Sequence, residues 1–116
     1  MTARGEIHLA SLDPAVAHEQ GKVRPVIIVS NNAANSSADR RGRGVVTVVP
    51  VTTNVANVYP FQVFLSREQT GLPADSKAQA EQVRSISTDR LIRRVATLPA
   101  ELVGAVDDAL RLHLAL

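Results

Sequence analysis

His18, Glu19, Lys22 and Arg24 fall close together in the segment His18-Glu19-Gln20-Gly21-Lys22-Val23-Arg24-Pro25-Val26-Ile27-Ile28-Val29-Ser30. An imidazole that titrates near neutral pH, a carboxylate, an ammonium and a guanidinium are groups that move protons and hold anions. Arg24 is the most informative of them. Its planar fork of N–H donors stays charged at physiological pH and matches the geometry of phosphate oxygens. Taken alone, composition favours the plainer reading, an ion pair of Arg24 with a nearby carboxylate such as Glu19, because lone arginines are common.

The elements around this segment decide how firmly Arg24 is held. Val26 to Val29 are apolar without alternation, the pattern of a strand covered on both faces, and Pro25 sits at its first residue, where a missing N–H costs least. A polar loop from Ala15 to Val23 therefore runs into a rigid strand that fixes Arg24 at the rim of the core. The second informative stretch is Val45-Val46-Thr47-Val48-Val49-Pro50-Val51-Thr52-Thr53-Asn54, the longest β-branched run in the chain. It predicts a central, strongly curved strand in which Pro50 marks a bulge or an unpaired N–H. Thr52 and Thr53 lie at its exit, where hydroxyls ordinarily satisfy the backbone of the following turn.

The remaining chain reads as short strands and one helix. Gly5 to Leu12 alternates, with Ile7 and Leu9 on one face and Glu6 and His8 on the other, so it predicts a half-buried strand with His8 in solvent. Asn31 to Gly44 reads as a polar, mobile loop whose Arg40-Arg41-Gly42-Arg43 run is a solvated basic face, compatible with an anionic partner. Phe61, Val63 and Leu65 line one face of a further strand, and Ser66 to Asp75 reads as loop interrupted by Gly71 and Pro73. Ala78 to Ile86 alternates, with Gln79, Glu81 and Val83 facing one way and Ala80, Gln82, Arg84 and Ile86 the other, which brings Glu81 toward the site. A turn at Thr88 to Arg90 and a strand from Ile92 to Leu98 follow.

Pro99 at a first helical position and Glu101 in the first turn predict a helix to the C-terminus. Its polar residues Glu101, Asp107, Asp108 and Arg111 cluster on one side and leave an apolar arc of roughly 200° that includes His113. That arc is wider than one packing surface needs. It predicts contact with both the chain's own barrel and a second subunit, with His113 buried. Five or six short strands and a terminal helix imply a small β-rich barrel, all-β or α+β.

Composition narrows the function classes. The 116 residues fit a single domain, 1–116, and the hydrophobic (45%) and charged (21%) fractions are those of an ordinary globule. With no cysteine there is no disulfide, thiol nucleophile or cysteine-ligated metal, and three scattered histidines make no metal motif, so no cofactor is expected. No apolar run is long enough to span a bilayer, and no secretory h-region opens the chain, so no membrane role and a cytoplasmic location are expected. Residues 1–98 carry 12 Lys+Arg against 8 Asp+Glu, whereas residues 99–116 carry 1 against 3. A basic body with a pI of 9.7 is compatible with a phosphate-rich partner. The chain contains no Walker loop, dinucleotide turn or nucleophile elbow.

Arg4-Gly5-Glu6-Ile7, Leu12-Asp13-Pro14, Glu19-Gln20-Gly21, Arg24-Pro25-Val26, Val49-Pro50-Val51-Thr52-Thr53 and Gln82-Val83-Arg84-Ser85-Ile86 follow one another in the order seen in the MazF/PemK family of toxin-antitoxin ribonucleases. The resemblance covers nearly the whole chain. It implies an SH3-like barrel with a C-terminal α-helix, a homodimer with a groove for single-stranded RNA (messenger, transfer or ribosomal), and a MazE-like antitoxin. It also implies metal-independent cleavage by the neighbouring 2'-hydroxyl, leaving a 2',3'-cyclic phosphate and a 5'-hydroxyl.

Carried over position by position, Arg24 and Thr52 are the family's pair around the scissile phosphate. His18, Glu19 and Glu81 are alternative general bases, and the choice among them stays open. Lys22, Thr53, Asn54, Gln79, Gln82 and Arg84 would bind substrate. The chain departs from the family pattern at Ala17, where a glycine is common, and at His8, where an aromatic is common. Tyr59, Phe61 and Phe64 are its only aromatics, a sparse platform for base stacking. The rival reading is a CcdB-like toxin of the same barrel fold that binds DNA gyrase and cuts nothing. Against it stand the Arg-Pro-Val and Pro-Val-Thr pair and the lack of any tryptophan. A third reading is an inactive RNA-binding barrel.

Overall fold

The computed structural model describes residues 2–13 and 22–116, so the segment that carries His18 and Glu19 lies outside the described residues. The strands are β1 (Glu6–Asp13), β2 (Lys22–Ile28), β3 (Val45–Thr52), β4 (Gln62–Leu65), β5 (Ser76–Gln79), β6 (Arg84–Ser87) and β7 (Leu91–Thr97). The helices are α1 (Asn32–Arg41), the single turn α2 (Arg67–Thr70) and α3 (Ala100–Leu114). All strand pairs among the described residues are antiparallel, in the order β4-β5-β3-β2-β1-β7, with β6 paired to β3 as well.

β3 is central, as its composition predicts. Val48 pairs with Ile28 of β2 on one edge and with Arg84 of β6 on the other, while Val51 and Thr52 pair with Ala78 and Lys77 of β5. Alternate residues of the apolar runs then serve two cores. Val26, Ile28, Val46 and Val48 join Ala10, Leu12 and Ile86 inside the curl of the sheet. Ile27, Val49 and Val51 turn the other way and join Ile7, Val63, Leu65, Leu102, Val106 and Ala109 beneath α3. Each fully buried aliphatic side chain contributes about 1.5–3 kcal/mol, which explains why these runs carry no polar alternation. Register shifts along β1, against both of its partners, supply the local twist that curls the sheet.

The segment 31–44, expected to be a mobile loop, contains α1. Its polar composition is outweighed by local bonds. Asn31 caps the N-terminus by accepting from Ala34 N, and Gly42 closes the C-terminus in the left-handed conformation. Caps of this kind are worth about 1 kcal/mol each. Asn35, fully buried, donates to Ser30 O at 2.9 Å and accepts from Ser30 Oγ, which itself accepts from Thr47 N. This network fastens α1 to the sheet.

His8 is also corrected. It is buried rather than solvated, and its Nε2 donates to Glu6 Oε1 at 3.0 Å; Ala3 N and Arg94 also donate to Glu6. Burial works to raise the Glu6 pKa, but the bonds from His8, Ala3 and Arg94 prevail and hold it below the ordinary carboxylate value. Alternation along β1 located this pair on one face, but His8 is paired with Val26 of the inner core and so lies on the covered side of the sheet.

Pro99, expected at the first helical position, sits instead at the N-cap, and α3 starts one residue later, at Ala100. Leu102, Val106 and Ala109 are buried, and Asp107, on the expected polar side, pairs with Arg4. Gly5 has φ +91°, and a Cβ there would lie 3.1 Å from Val103, so α3 packs closely over a backbone that only glycine fits. His113, expected to be buried, is exposed in the protomer, as are Leu112, Leu114 and Leu116. No helix among the described residues is long and apolar enough to cross a membrane.

Two outcomes follow for stability. Asn35→Ala removes a buried amide and strands its serine partner, so chemical denaturation should show a loss of about 1–3 kcal/mol. A loss below about 0.5 kcal/mol would mean that α1 is not anchored there. The depressed Glu6 pKa means that its contribution is present above the ordinary carboxylate value and is lost as pH falls through the folded pKa. Denaturation midpoints should therefore fall more steeply with acidification in the wild type than in Glu6→Gln.

Candidate functional site

The end of β3 builds the site. Residues paired across an antiparallel sheet share a face, and alternate residues along a strand return to it. Ala10 pairs with Arg24, Val48 with Arg84 and Thr52 with Lys77, while Ala10 and Val48 belong to the inner core. Arg24, Thr52, Lys77 and Arg84 thus all arise from the inner face of the curled sheet. Arg24 and Thr52 reach its mouth and line a cleft of about 440 Å³ with Val23, Pro25, Val51, Thr53 and Ser76. A cleft of that size admits a small ligand or one unit of a polymer.

Arg24 is half-buried, and among the described residues its guanidinium has no hydrogen bond or ion pair. Thr52 Oγ1 accepts from Asn54 N at 3.2 Å, the turn bond expected of such a residue. Because the hydroxyl accepts from the backbone, its own proton remains for a ligand oxygen. Thr53 and Asn54 are exposed on the rim, and Asn54 Oδ1 accepts from Ala56 N.

Gln79, Glu81, Gln82 and Arg84 do not line this cleft. Ala78 to Ile86 is not one alternating strand: β5 ends at Gln79, Ala80–Gln82 forms a 3-10 turn, and β6 starts at Arg84. That turn rotates Glu81 toward β4, where Glu81 Oε2 accepts from Gln62 Nε2 at 2.7 Å. Glu81 is not among the side chains lining the Arg24 cleft. Gln79 is half-buried and paired with Gln62, and Gln82 is exposed on the 3-10 turn. Arg84 is half-buried on β6, with its own interaction. The backbone of Lys22 begins β2, next to the cleft residue Val23.

Residues 3–114 match the family model described as PemK-like, MazF-like toxin of type II toxin-antitoxin system. The chain belongs to that family. It is 55% identical over 114 residues to Endoribonuclease MazF9 of Mycobacterium tuberculosis, a match covering 98% of this chain and 97% of the relative. It is 33% identical to Endoribonuclease EndoA of Bacillus subtilis, covering 97% and 94%. Among solved structures, it is similar to the MazE-MazF complex (Form-II) from Deinococcus radiodurans, with a TM-score of 0.79, 27% identity and coverage of 99% of this chain and 96% of the other. The barrel with a C-terminal helix is the fold of MazF toxins.

Two residues of this MazF-like toxin escaped the sequence reading. Ser76 lines the cleft from the first position of β5. Lys77, only 7% exposed, donates to Asn57 O at 2.6 Å and lies 5.8 Å from the centre of the Tyr59 ring, which stacks on Phe61. Only the strand register shows that Lys77 is the partner of Thr52, and nothing in the local sequence carries that signal. Its buried ammonium adds positive charge near the Arg24 cleft. The cleft can bind an anion and stabilise growing negative charge on it.

Proposed function

We propose that this toxin is a sequence-specific endoribonuclease that cuts single-stranded RNA by in-line attack of the 2'-hydroxyl on the neighbouring phosphate. The products are a 2',3'-cyclic phosphate and a 5'-hydroxyl, and no metal takes part. The observation that carries this reading is that Arg24, whose guanidinium has no partner among the described residues, lines one cleft with Thr52. The relatives named as endoribonucleases support cleavage over the gyrase-binding alternative.

The chemistry needs charge stabilisation and proton transfer. Arg24 remains protonated, so it stabilises the pentavalent phosphorane and hydrogen-bonds the departing 5'-oxygen. Thr52 donates its free O–H to a phosphate oxygen. Either His18 or Glu19, which precede Arg24 in the chain, accepts the proton of the 2'-hydroxyl in this reading. Lys22, Thr53, Asn54, Gln79, Gln82 and Arg84 extend the groove to flanking nucleotides. Residues 1–116 act as one toxin domain in the cytoplasm, and two copies pair to complete the groove, covering apolar side chains such as Leu112 and Leu114. A MazE-like antitoxin neutralises the toxin, its acidic and apolar C-terminal segment ordering in the positive groove in place of RNA.

Among the described residues Arg24 makes no hydrogen bond or ion pair, so Arg24→Ala should unfold within about 0.5 kcal/mol of the wild type. The same variant should lose nearly all cleavage, and Arg24→Lys should not restore it because a point charge lacks the fork. A substrate with deoxyribose at the scissile nucleotide should bind but resist cutting, and EDTA should leave the rate unchanged. Full activity of the Ala variant, or metal-dependent cutting of the deoxy substrate, would end the proposal. Antitoxin peptide should compete directly with uncleavable labelled RNA in fluorescence anisotropy, and both ligands should weaken as salt rises. A stable ternary complex at saturating peptide would instead place the antitoxin on a remote surface.

A further inference from the structure

The loop 53–61 leaves β3 at Thr52, passes the rim residues Thr53 and Asn54, and returns at Gln62 to start β4. It has no regular secondary structure of its own, and most of its residues are exposed. Three buried or half-buried side chains hold it. Lys77, across from Thr52, donates to Asn57 O at 2.6 Å. Gln62, 8% exposed, accepts from Tyr59 N through Oε1 at 3.2 Å, and its backbone N donates to Tyr59 O at 2.8 Å. Glu81 completes the set by accepting from Gln62 Nε2 at 2.7 Å.

The last bond gives Glu81 a task. The Gln62 amide offers one acceptor and two donors, and the loop uses the acceptor. A carboxylate at Glu81 engages the nitrogen end and thereby fixes which end faces Tyr59. The bond to a charged acceptor is also stronger than one to a neutral group. A general base, by contrast, must reach the proton that it abstracts. Glu81 Oε1 is buried without a partner among the described residues, and the side chain is absent from the lining of the cleft that holds Arg24 and Thr52.

We propose that Glu81 is a positioning residue in this toxin: through Gln62 it orients the loop 53–61 that carries the rim of the Arg24–Thr52 cleft, and it takes no proton from the substrate. The catalytic part of this statement rests on the ribonuclease reading above, whereas the loop-holding part does not. Glu81 sets the shape of the rim, and so the apparent affinity for RNA, while the proton acceptor lies elsewhere.

Glu81→Gln and Glu81→Ala separate the two roles. Glutamine keeps an oxygen for Gln62 Nε2 but does not titrate, so Glu81→Gln should retain kcat within about threefold, with the wild-type pH–rate profile. Loss of a general base would lower kcat by roughly 10²–10⁴-fold and remove the acidic limb of that profile, and this result would overturn the proposal. Glu81→Ala should raise KM severalfold with the shape of the pH profile unchanged, and Gln62→Ala should match it, the double variant being no worse than either single one. Additive losses would overturn the relay through Gln62.

Hydrogen exchange tests the structural half without RNA. The Tyr59 amide should exchange faster in Glu81→Ala than in the wild type and be restored in Glu81→Gln. Unchanged protection in both would also overturn the proposal. Should the wild type cut no RNA under any condition, the ribonuclease reading fails, and the exchange result still decides whether Glu81 holds the loop.

Discussion

Every other part of this toxin is placed by the pairing of β3. Val48 is bonded on both edges, to Ile28 and to Arg84, and further along the strand the second edge passes from β6 to β5. A strand held this way cannot slip by one residue without sending Val46 and Val48 out of the inner core and Val49 and Val51 out of the outer one. Its register therefore determines which residue ends at the mouth of the sheet. That residue is Thr52, with Arg24 on the same face from β2 and Lys77 as its partner on β5.

The N-terminal segment seals the opposite end of the sheet. Arg4 donates from Nε to Val29 O and pairs through its guanidinium with Asp107 of α3, while Gly5 lies under Val103. Glu6 and His8 form a buried polar pair beside this closure, and the exposed Arg94 donates to Glu6. Buried polar groups are costly unless bonded, and here His8 bonds Glu6 within β1 while Ala3 and Arg94 reach Glu6 from the N-terminal turn and β7. The acidic end of the chain is thus partly used within the protomer, because Asp107 offsets a cation of the basic body.

At the cleft, the same rules act in reverse. Arg24 is held by strand geometry but has no hydrogen-bonding or charged partner among the described residues, so its charge is available to a ligand. Lys77 and Glu81 are bound to the loop 53–61 and its anchor, and so shape the rim rather than the centre.

Periodicity and residue type in the sequence were enough for the apolar strands β2 and β3, the β-rich barrel class and the C-terminal helix, because an apolar run without polar breaks must be covered on both sides. The motif order was enough for the family. Local composition misled at 31–44, where the caps Asn31 and Gly42 and the buried Asn35 outweigh a polar sequence, and at His8, whose pattern is polar but whose pairing with Val26 puts it on the inner side of the sheet. It misled again at Glu81, since a 3-10 turn interrupts the alternation and turns the carboxylate toward Gln62. Sequence alone thus determined which segments form strands or the last helix and which residues carry charge. Only the tertiary structure decided which faces are buried, that Lys77 stands beside Thr52 and that Glu81 does not line the cleft, because those depend on pairing between segments far apart in the chain, and no local pattern encodes that register.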